Sequence, residues 1–353
     1  MSDSLEWLYQ PIQPLNAQCH AEAQAYQNQL TKPPGSLGRL EQLGALFAAA
    51  QGQLKPVLKK VSIRVFAADH GVAEEGVSAF PQEVTVEMVR NFSRGGAAIT
   101  VLARQLGADF KVVNVGTLTE LESLPQVEDA RIAAGTANFC RQPAMSPAQL
   151  EAALACGRRA AEQAADQGVQ LFIGGEMGIA NTTAATALAA ALLEQPARSL
   201  VGPGTGVDSA GIDRKTTAID RALALHQAKL DSPLATLQHL GGLEIAALCG
   251  AYLGCARRGL PVLVDGFITT SAALVASRIN PQLRPWLLFS HNSAEPGHRL
   301  MQQAMDAEPL LDLGMRLGEG SGAAVCVPLL QSACRLQSEM ATFAEAAVSE
   351  NIC

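Results

Sequence analysis

The sequence of 353 residues predicts an α/β fold with a mostly parallel six-stranded sheet and helices on both faces. Six short apolar runs, at 61–67, 110–115, 169–173, 199–201, 261–264 and 287–289, alternate with longer stretches of helical periodicity. Several of these strand ends carry a polar residue (Asp69, Glu176, Asp265 or Ser290), and open α/β sheets place their ligands at strand ends. Hydrophobic residues make up 48% of the chain but aromatics only 4%, so the core has to be built mainly from Ala, Leu and Val.

The first 60 residues read as helices alone. Leu5, Leu8 and Tyr9 form an apolar pattern that ends at Pro11 and Pro14, and a second helix spans roughly 17–30. After Lys32-Pro33-Pro34-Gly35, Ser36 opens a third helix with Leu37, Leu40, Leu43, Leu46 and Phe47 at helical spacing. The first strand, VSIRVFA, runs into Asp69 and His70. Adjacent strand residues point to opposite faces, so a tie of the following loop by Asp69 is preferred to a metal site. A long loop over 72–82 leads to the helix EVTVEMVRNF, and Gly95-Gly96 separates it from AAITVLARQLG. Beyond the second strand, 117–147 is polar and irregular. Ser146-Pro147 then caps a helix over 148–167.

The stretch at 171–188, LFIGGEMGIANTTAATAL, reads as a strand, a glycine turn, capping residues and a helix. That order leaves backbone N–H groups and the positive end of a helix dipole facing an anion. Glu176 is out of place beside an anion unless it serves another group, such as a ribose hydroxyl; a plainly capped helix is the alternative. GPGTGVD at 202–208 is neither the GxGxxG dinucleotide fingerprint nor a phosphate loop, and GxxxxGK[ST] is absent. Lys215 is either an ordinary surface lysine or a point charge for a phosphate. Glu319 lies between Gly318 and Gly320. Poor solvation raises a carboxyl pKa and makes a better general base near neutrality; a plain loop acid before a helix is the rival reading.

Several classes are excluded. The net charge is −7 with no basic cluster, which rules out a nucleic-acid surface. No apolar run reaches the roughly 20 residues that span a bilayer. The start MSDSLEWLYQ has neither the basic nor the apolar part of a signal peptide, so a cytoplasmic location is expected. The eight Cys form no CxxC pair and read as reduced thiols; no metal and no cofactor are expected.

Taken together and in order, KPPGSLGRLE, ADHGVAEEGVSAFPQEVT, GGEMGIANTTAATAL, GGLEIAALCG, VLVDGF, SHNSAEPG and RLGEGSGAA closely resemble the nicotinate-nucleotide:dimethylbenzimidazole phosphoribosyltransferases. The resemblance runs from about Lys32 to the C-terminus. It implies a Rossmann-like sheet domain at 61–330, a smaller helical domain from 1–60 with 331–353, and a homodimer. It also implies that nicotinate mononucleotide and a benzimidazole-type base give α-ribazole 5′-phosphate and nicotinate, with inversion at C1′. Glu319 matches the family's general base, and Glu176 would face the ribose or a water near the reacting carbon. Gly178, Asn181, Thr182, Thr183, Lys215 and Gly266 would serve the nucleotide phosphate, joined at the strand ends by Asp265 and Ser290. Gly202 and Gly204 would receive the nicotinate ring. Ser78, Phe80, Met88, Met177 and Leu317 would line the lower-ligand base pocket. Relatives similar to the enteric enzymes have a serine and a glutamine at the positions of Phe80 and Met88, so this pocket reads as more apolar and more tolerant. A non-catalytic nucleotide sensor on the same fold is the alternative, and a nicotinamide-cofactor dehydrogenase is disfavoured by the missing fingerprint.

Overall fold

The computed structural model describes residues 3–349 except Thr205. Cys353 therefore lies outside the described residues, as does the middle of the GPGTGVD turn. The sheet contains β1 (Val61–Ala68), β2 (Asp109–Gly116), β3 (Val127–Asp129), β4 (Leu171–Met177), β5 (Val262–Val264) and β6 (Leu287–Phe289). The helices are α1 (Ala17–Gln27), α2 (Arg39–Gln51), α3 (Glu83–Arg94), α4 (Ala98–Leu106), α5 (Pro147–Asp166), α6 (Asn181–Leu193) and α7 (Ala197–Leu200). They continue with α8 (Ser209–His226), α9 (Pro233–Leu240), α10 (Leu243–Arg257), α11 (Phe267–Ile279), α12 (Pro296–Ala304), α13 (Ser321–Glu339) and α14 (Phe343–Ala346).

The strand order is β3-β2-β1-β4-β5-β6, and every pairing is parallel. The chain moves outward one way from β1 to β2 and β3, then the other way from β4 to β6. The switch point therefore lies between β1 and β4, where Ala67 pairs with Met177. In an open parallel sheet that crevice is where a ligand sits.

Alternation along the strands divides the interior into two cores. Ile63, Val65 and Ala67 of β1 face a core shared with α3, α4 and α13. Phe66 and Ala68 face the larger core built from α5, α6, α10 and α11. The terminal segments are split between two places. Leu5, Trp7, Leu8 and Ile12 pack into the larger core, and Arg257 donates to the Trp7 carbonyl at 2.9 Å. Gln27 instead bonds Gln337, Thr31 N donates to Ala341 O at 3.0 Å, and α13 runs unbroken through residue 331.

The architecture agrees with expectation, but two of the strands differ. The run at 199–201 is not a strand: Pro196 starts the single turn α7, which buries Ala197 and Leu200. The strand the sequence hides is β3, whose Val-Glu-Asp is half exposed at the sheet edge and carries no apolar run. The glycines of 171–188 also behave differently from a turn. Gly174 and Gly175 belong to β4. A Cβ on Gly174 would lie 2.4 Å from Leu248 of α10, and one on Gly175 would lie 2.1 Å from the Glu319 carbonyl oxygen. These glycines admit neighbouring elements, and the real bend falls at Ala180, whose φ is +74°.

Candidate active site

A cavity of about 660 Å³ opens above the switch point, within the size range of small-molecule sites. Its walls include Glu176, Gly178, Thr182 and Gly204, together with Gly266 and Glu319. Phe80, Met88, Met177, Asn181 and Leu317 also line it. The fold thus brings segments that are far apart in the chain to one place.

Three successive residues, Gly318, Glu319 and Gly320, have positive φ of +90°, +65° and +90°. Glycine adopts this geometry freely, whereas glutamate does so at a cost of about 1–3 kcal/mol. The loop is tied down from below. Glu176 Oε1 accepts the Glu319 N–H at 3.4 Å. Asp265 accepts Gly320 N at 3.1 Å and Ala323 N at 2.8 Å, so it caps the first turn of α13. The Glu319 side chain is buried, and its Oε2 accepts Ile99 N at 3.3 Å in the first turn of α4. Burial raises its carboxyl above the ordinary value despite that hydrogen bond.

Glu176 is more perturbed. Burial pushes it up to about 8, and the charges of Asp265 and Glu244 add to the rise, while the Asn181 side-chain amide, which bonds its Oε2, opposes it. Burial also pushes Asp265 up to about 7. Behind them, His70 Nε2 and Glu244 Oε1 lie 2.6 Å apart in full burial. Neighbouring Asp69 ties a loop through Oδ2 and Leu118 N at 2.7 Å, but that loop follows β2 and is not the one after Asp69 that the sequence implied.

Several of the N–H groups expected to be free at the start of α6 have partners. The N–H groups of Ile179, Asn181 and Thr183 are already bonded, to Thr85 Oγ1, Gly178 O and Ala180 O. Thr183 is fully buried. The first residues of α6, Asn181 and Thr182, line the cavity, and so does the start of α11: Gly266, Phe267, Ile268 and Thr269. Lys215 is 1% exposed and donates to Thr182 Oγ1 at 2.9 Å and Gly202 O at 3.1 Å. An ammonium has three hydrogens, and these two bonds use two of them. Burial lowers its pKa to about 8.

Other sequence-predicted residues divide between the layer behind the cavity and its mouth. Ser290 is fully buried and donates to the Asp265 carbonyl at 3.1 Å. Ser78 Oγ accepts Phe80 N at 3.2 Å. Phe80 and Leu317 are exposed at the cavity mouth, whereas Met88 packs against the α3–α13 core. Sequence reasoning missed Glu295 and Arg316. Both line the cavity and both bond Gly204, at N and O respectively, each at 3.1 Å. The block SHNSAEPG held the first and RLGEGSGAA the second, but nothing local marks a contact with a turn so far back in the chain. Among the described residues no group of three or more His, Cys, Asp or Glu could hold a metal ion, and no helix is long and apolar enough to cross a membrane.

Comparison with known proteins identifies the family. The family model described as Phosphoribosyltransferase matches residues 12–348. The nicotinate-nucleotide–dimethylbenzimidazole phosphoribosyltransferase of Azotobacter vinelandii is 60% identical over 346 residues, covering 98% of each chain. The Pseudomonas putida protein of the same name is 59% identical over 344 residues, again covering 98% of each. The crystal structure of CobT from Thermus thermophilus superposes with a TM-score of 0.91 at 47% identity, covering 95% of this chain and all of that one. The chain belongs to the nicotinate-nucleotide–dimethylbenzimidazole phosphoribosyltransferase family, and it is a transferase.

Proposed function

We propose that this enzyme transfers the phosphoribosyl group of nicotinate mononucleotide to 5,6-dimethylbenzimidazole or a related base, in the assembly of the cobalamin nucleotide loop. The products are α-ribazole 5′-phosphate and nicotinate. Glu319 takes the N–H proton of the base while the other ring nitrogen attacks C1′ from the face opposite nicotinate, which inverts the glycosidic bond. The C1′–N bond electrons pass to the pyridinium ring, so the leaving group departs neutral at its nitrogen and needs no general acid. Orientation of two bound substrates supplies much of the remaining acceleration.

The observation that carries this reading is Glu319 itself: a buried carboxyl on the cavity wall, raised by burial and held at a φ of +65° between two glycines of positive φ. Gly266 and the start of α11, with Lys215 behind Thr182, supply donors for the phosphate. Glu176 and Asn181 lie toward the ribose, Gly204 toward the nicotinate ring, and Phe80, Met88, Met177 and Leu317 toward the base. The active form is a homodimer in the cytoplasm. Incubation with nicotinate mononucleotide and dimethylbenzimidazole should release nicotinate and α-ribazole phosphate in equal amounts. Tight nucleotide binding without turnover would instead favour a sensor on the same fold.

A further inference from the structure

The turn at 202–204 is gripped by three charged side chains from three different elements. Lys215 of α8 donates to Gly202 O at 3.1 Å. Glu295, just before α12, accepts Gly204 N through Oε1 at 3.1 Å. Arg316, from the loop before α13, donates to Gly204 O at 3.1 Å. Gly204 has φ +52°, and a Cβ there would lie 2.8 Å from Thr182 Oγ1 and 3.0 Å from Lys215 Nζ. The turn therefore rests directly on the lysine.

Glu295 is only 6% exposed, and its Oε2 has no hydrogen-bond partner. A Cβ on Gly202 would lie 2.0 Å from that oxygen, so the carboxylate is pressed against the turn. A nearly buried ammonium and a nearly buried carboxylate thus hold opposite ends of one three-residue turn. The charged and titratable neighbours of Glu295 are Lys215, Arg316 and His298 of its own helix. His298 Nδ1 accepts Ser293 N at 2.8 Å, so its ring proton sits on Nε2, toward Thr270 Oγ1. His298 is neutral, because burial lowers its pKa to about 3. Within this group, the negative charge that acts on Lys215 is that of Glu295, which reaches it across the turn and not by a direct ion pair.

We propose that Glu295 is the resident counter-ion of Lys215 and the seat of the 202–204 turn, so that a nucleotide phosphate binds by replacing it as the partner of Lys215. The inference rests on the proposed role of Lys215 as a phosphate donor. Glu295 makes a buried ammonium tolerable before the nucleotide arrives, and in doing so it weakens the grip on an incoming anion. It is a positioning residue that sets nucleotide affinity.

Titration calorimetry with nicotinate mononucleotide, its dephosphorylated nucleoside and inorganic phosphate tests the proposal. Glu295→Gln keeps an oxygen for Gly204 N but loses the charge. It should bind the nucleotide and inorganic phosphate tighter, on the order of tenfold, and bind the nucleoside as the wild type does. In a Lys215→Met background the same substitution should bring no gain. Glu295→Asp keeps the charge but not the reach; it should bind the nucleotide more weakly than the wild type, and it stands in if Glu295→Gln does not fold. An unchanged nucleotide affinity in Glu295→Gln or Glu295→Asp, an equal gain for the nucleoside, or a gain that survives loss of Lys215 would each overturn the proposal. Wild-type enzyme that ignores nicotinate mononucleotide while phosphate still shows the gain would refute the proposed function and leave this inference standing.

Discussion

Glu176 Oε1 accepts the backbone N–H of Glu319 at 3.4 Å, so one buried acid holds the peptide that carries the other. Gly175, the residue before Glu176, has its Cα against the Glu319 carbonyl. Strand β4 is therefore the anvil for the loop that carries Glu319, which explains Gly175; Gly174 faces the other side of the sheet and admits Leu248 of α10. Glu176→Ala removes the acceptor beneath the Glu319 peptide. Turnover should fall on the order of tenfold, about the 1.4 kcal/mol of one hydrogen bond. A loss in steady-state turnover as large as that of Glu319→Gln would move the base chemistry to Glu176.

The two most perturbed acids make stability depend on pH. Glu176 rises from 4.5 to about 8 and Asp265 from 3.8 to about 7, both mainly through burial. A carboxyl whose folded pKa is raised favours the fold while protonated. That contribution is complete below the unfolded value and is lost as pH climbs through the folded one. Lys215, lowered from 10.5 to about 8, acts in the opposite sense: its contribution is present above 10.5 and is lost as pH falls toward 8. The unfolding midpoint of the ligand-free enzyme should therefore drop between pH 5 and pH 8, and Glu176→Gln should flatten that drop. A midpoint that rises over this interval in scanning calorimetry would contradict the burial of these acids.

Lys215 is expected to hold the nucleotide rather than the base. Lys215→Ala removes a charge-assisted hydrogen bond of about 1.5–3 kcal/mol, which corresponds to roughly 10–100-fold in nucleotide KM. The KM of the base should stay put. An unchanged nucleotide KM in steady-state kinetics would leave Lys215 as a prop for Thr182 and Gly202 alone.

Most of the sheet was legible because apolar runs bounded by polar turns reflect burial on both faces. Strands β1, β2 and β6 fall within a residue or two of their expected positions. The errors share one cause, which is that tertiary context outweighed local pattern. Three apolar residues at 199–201 were too few to distinguish a strand from the turn α7, and β3 joins the sheet by backbone pairing at its edge without any apolar run. In the site, the glycine-flanked acid was readable because its unusual backbone is written in its neighbours. Glu295 and Arg316 were not, because each acts on the backbone of Gly204, 91 and 112 residues earlier. Asp265 and Ser290 were correctly seen at strand ends, but their hydrogen bonds run inward, to α13 and to each other.

The part of the cavity proposed for the base is apolar and adaptable. Phe80 and Leu317 are exposed at its mouth, and the flexible side chains of Met88 and Met177 line its wall. Methionine adapts to several aromatic shapes. Competition among dimethylbenzimidazole, other benzimidazoles, adenine and a phenolic base should yield more than one product, with preferences within about 1–3 kcal/mol, or 10–200-fold. Exclusive use of dimethylbenzimidazole in such a mixture would contradict an adaptable pocket.

The central claim is that Glu319 is the base in phosphoribosyl transfer, and it is tested most directly by nicotinate release from the wild type and Glu319→Gln under saturating substrates. The wild type should release nicotinate in step with α-ribazole phosphate. Glu319→Gln should do so about 10²–10⁴-fold more slowly, with the nucleotide dissociation constant unchanged. Turnover that survives the substitution, or falls only in proportion to lost nucleotide binding, would contradict the account.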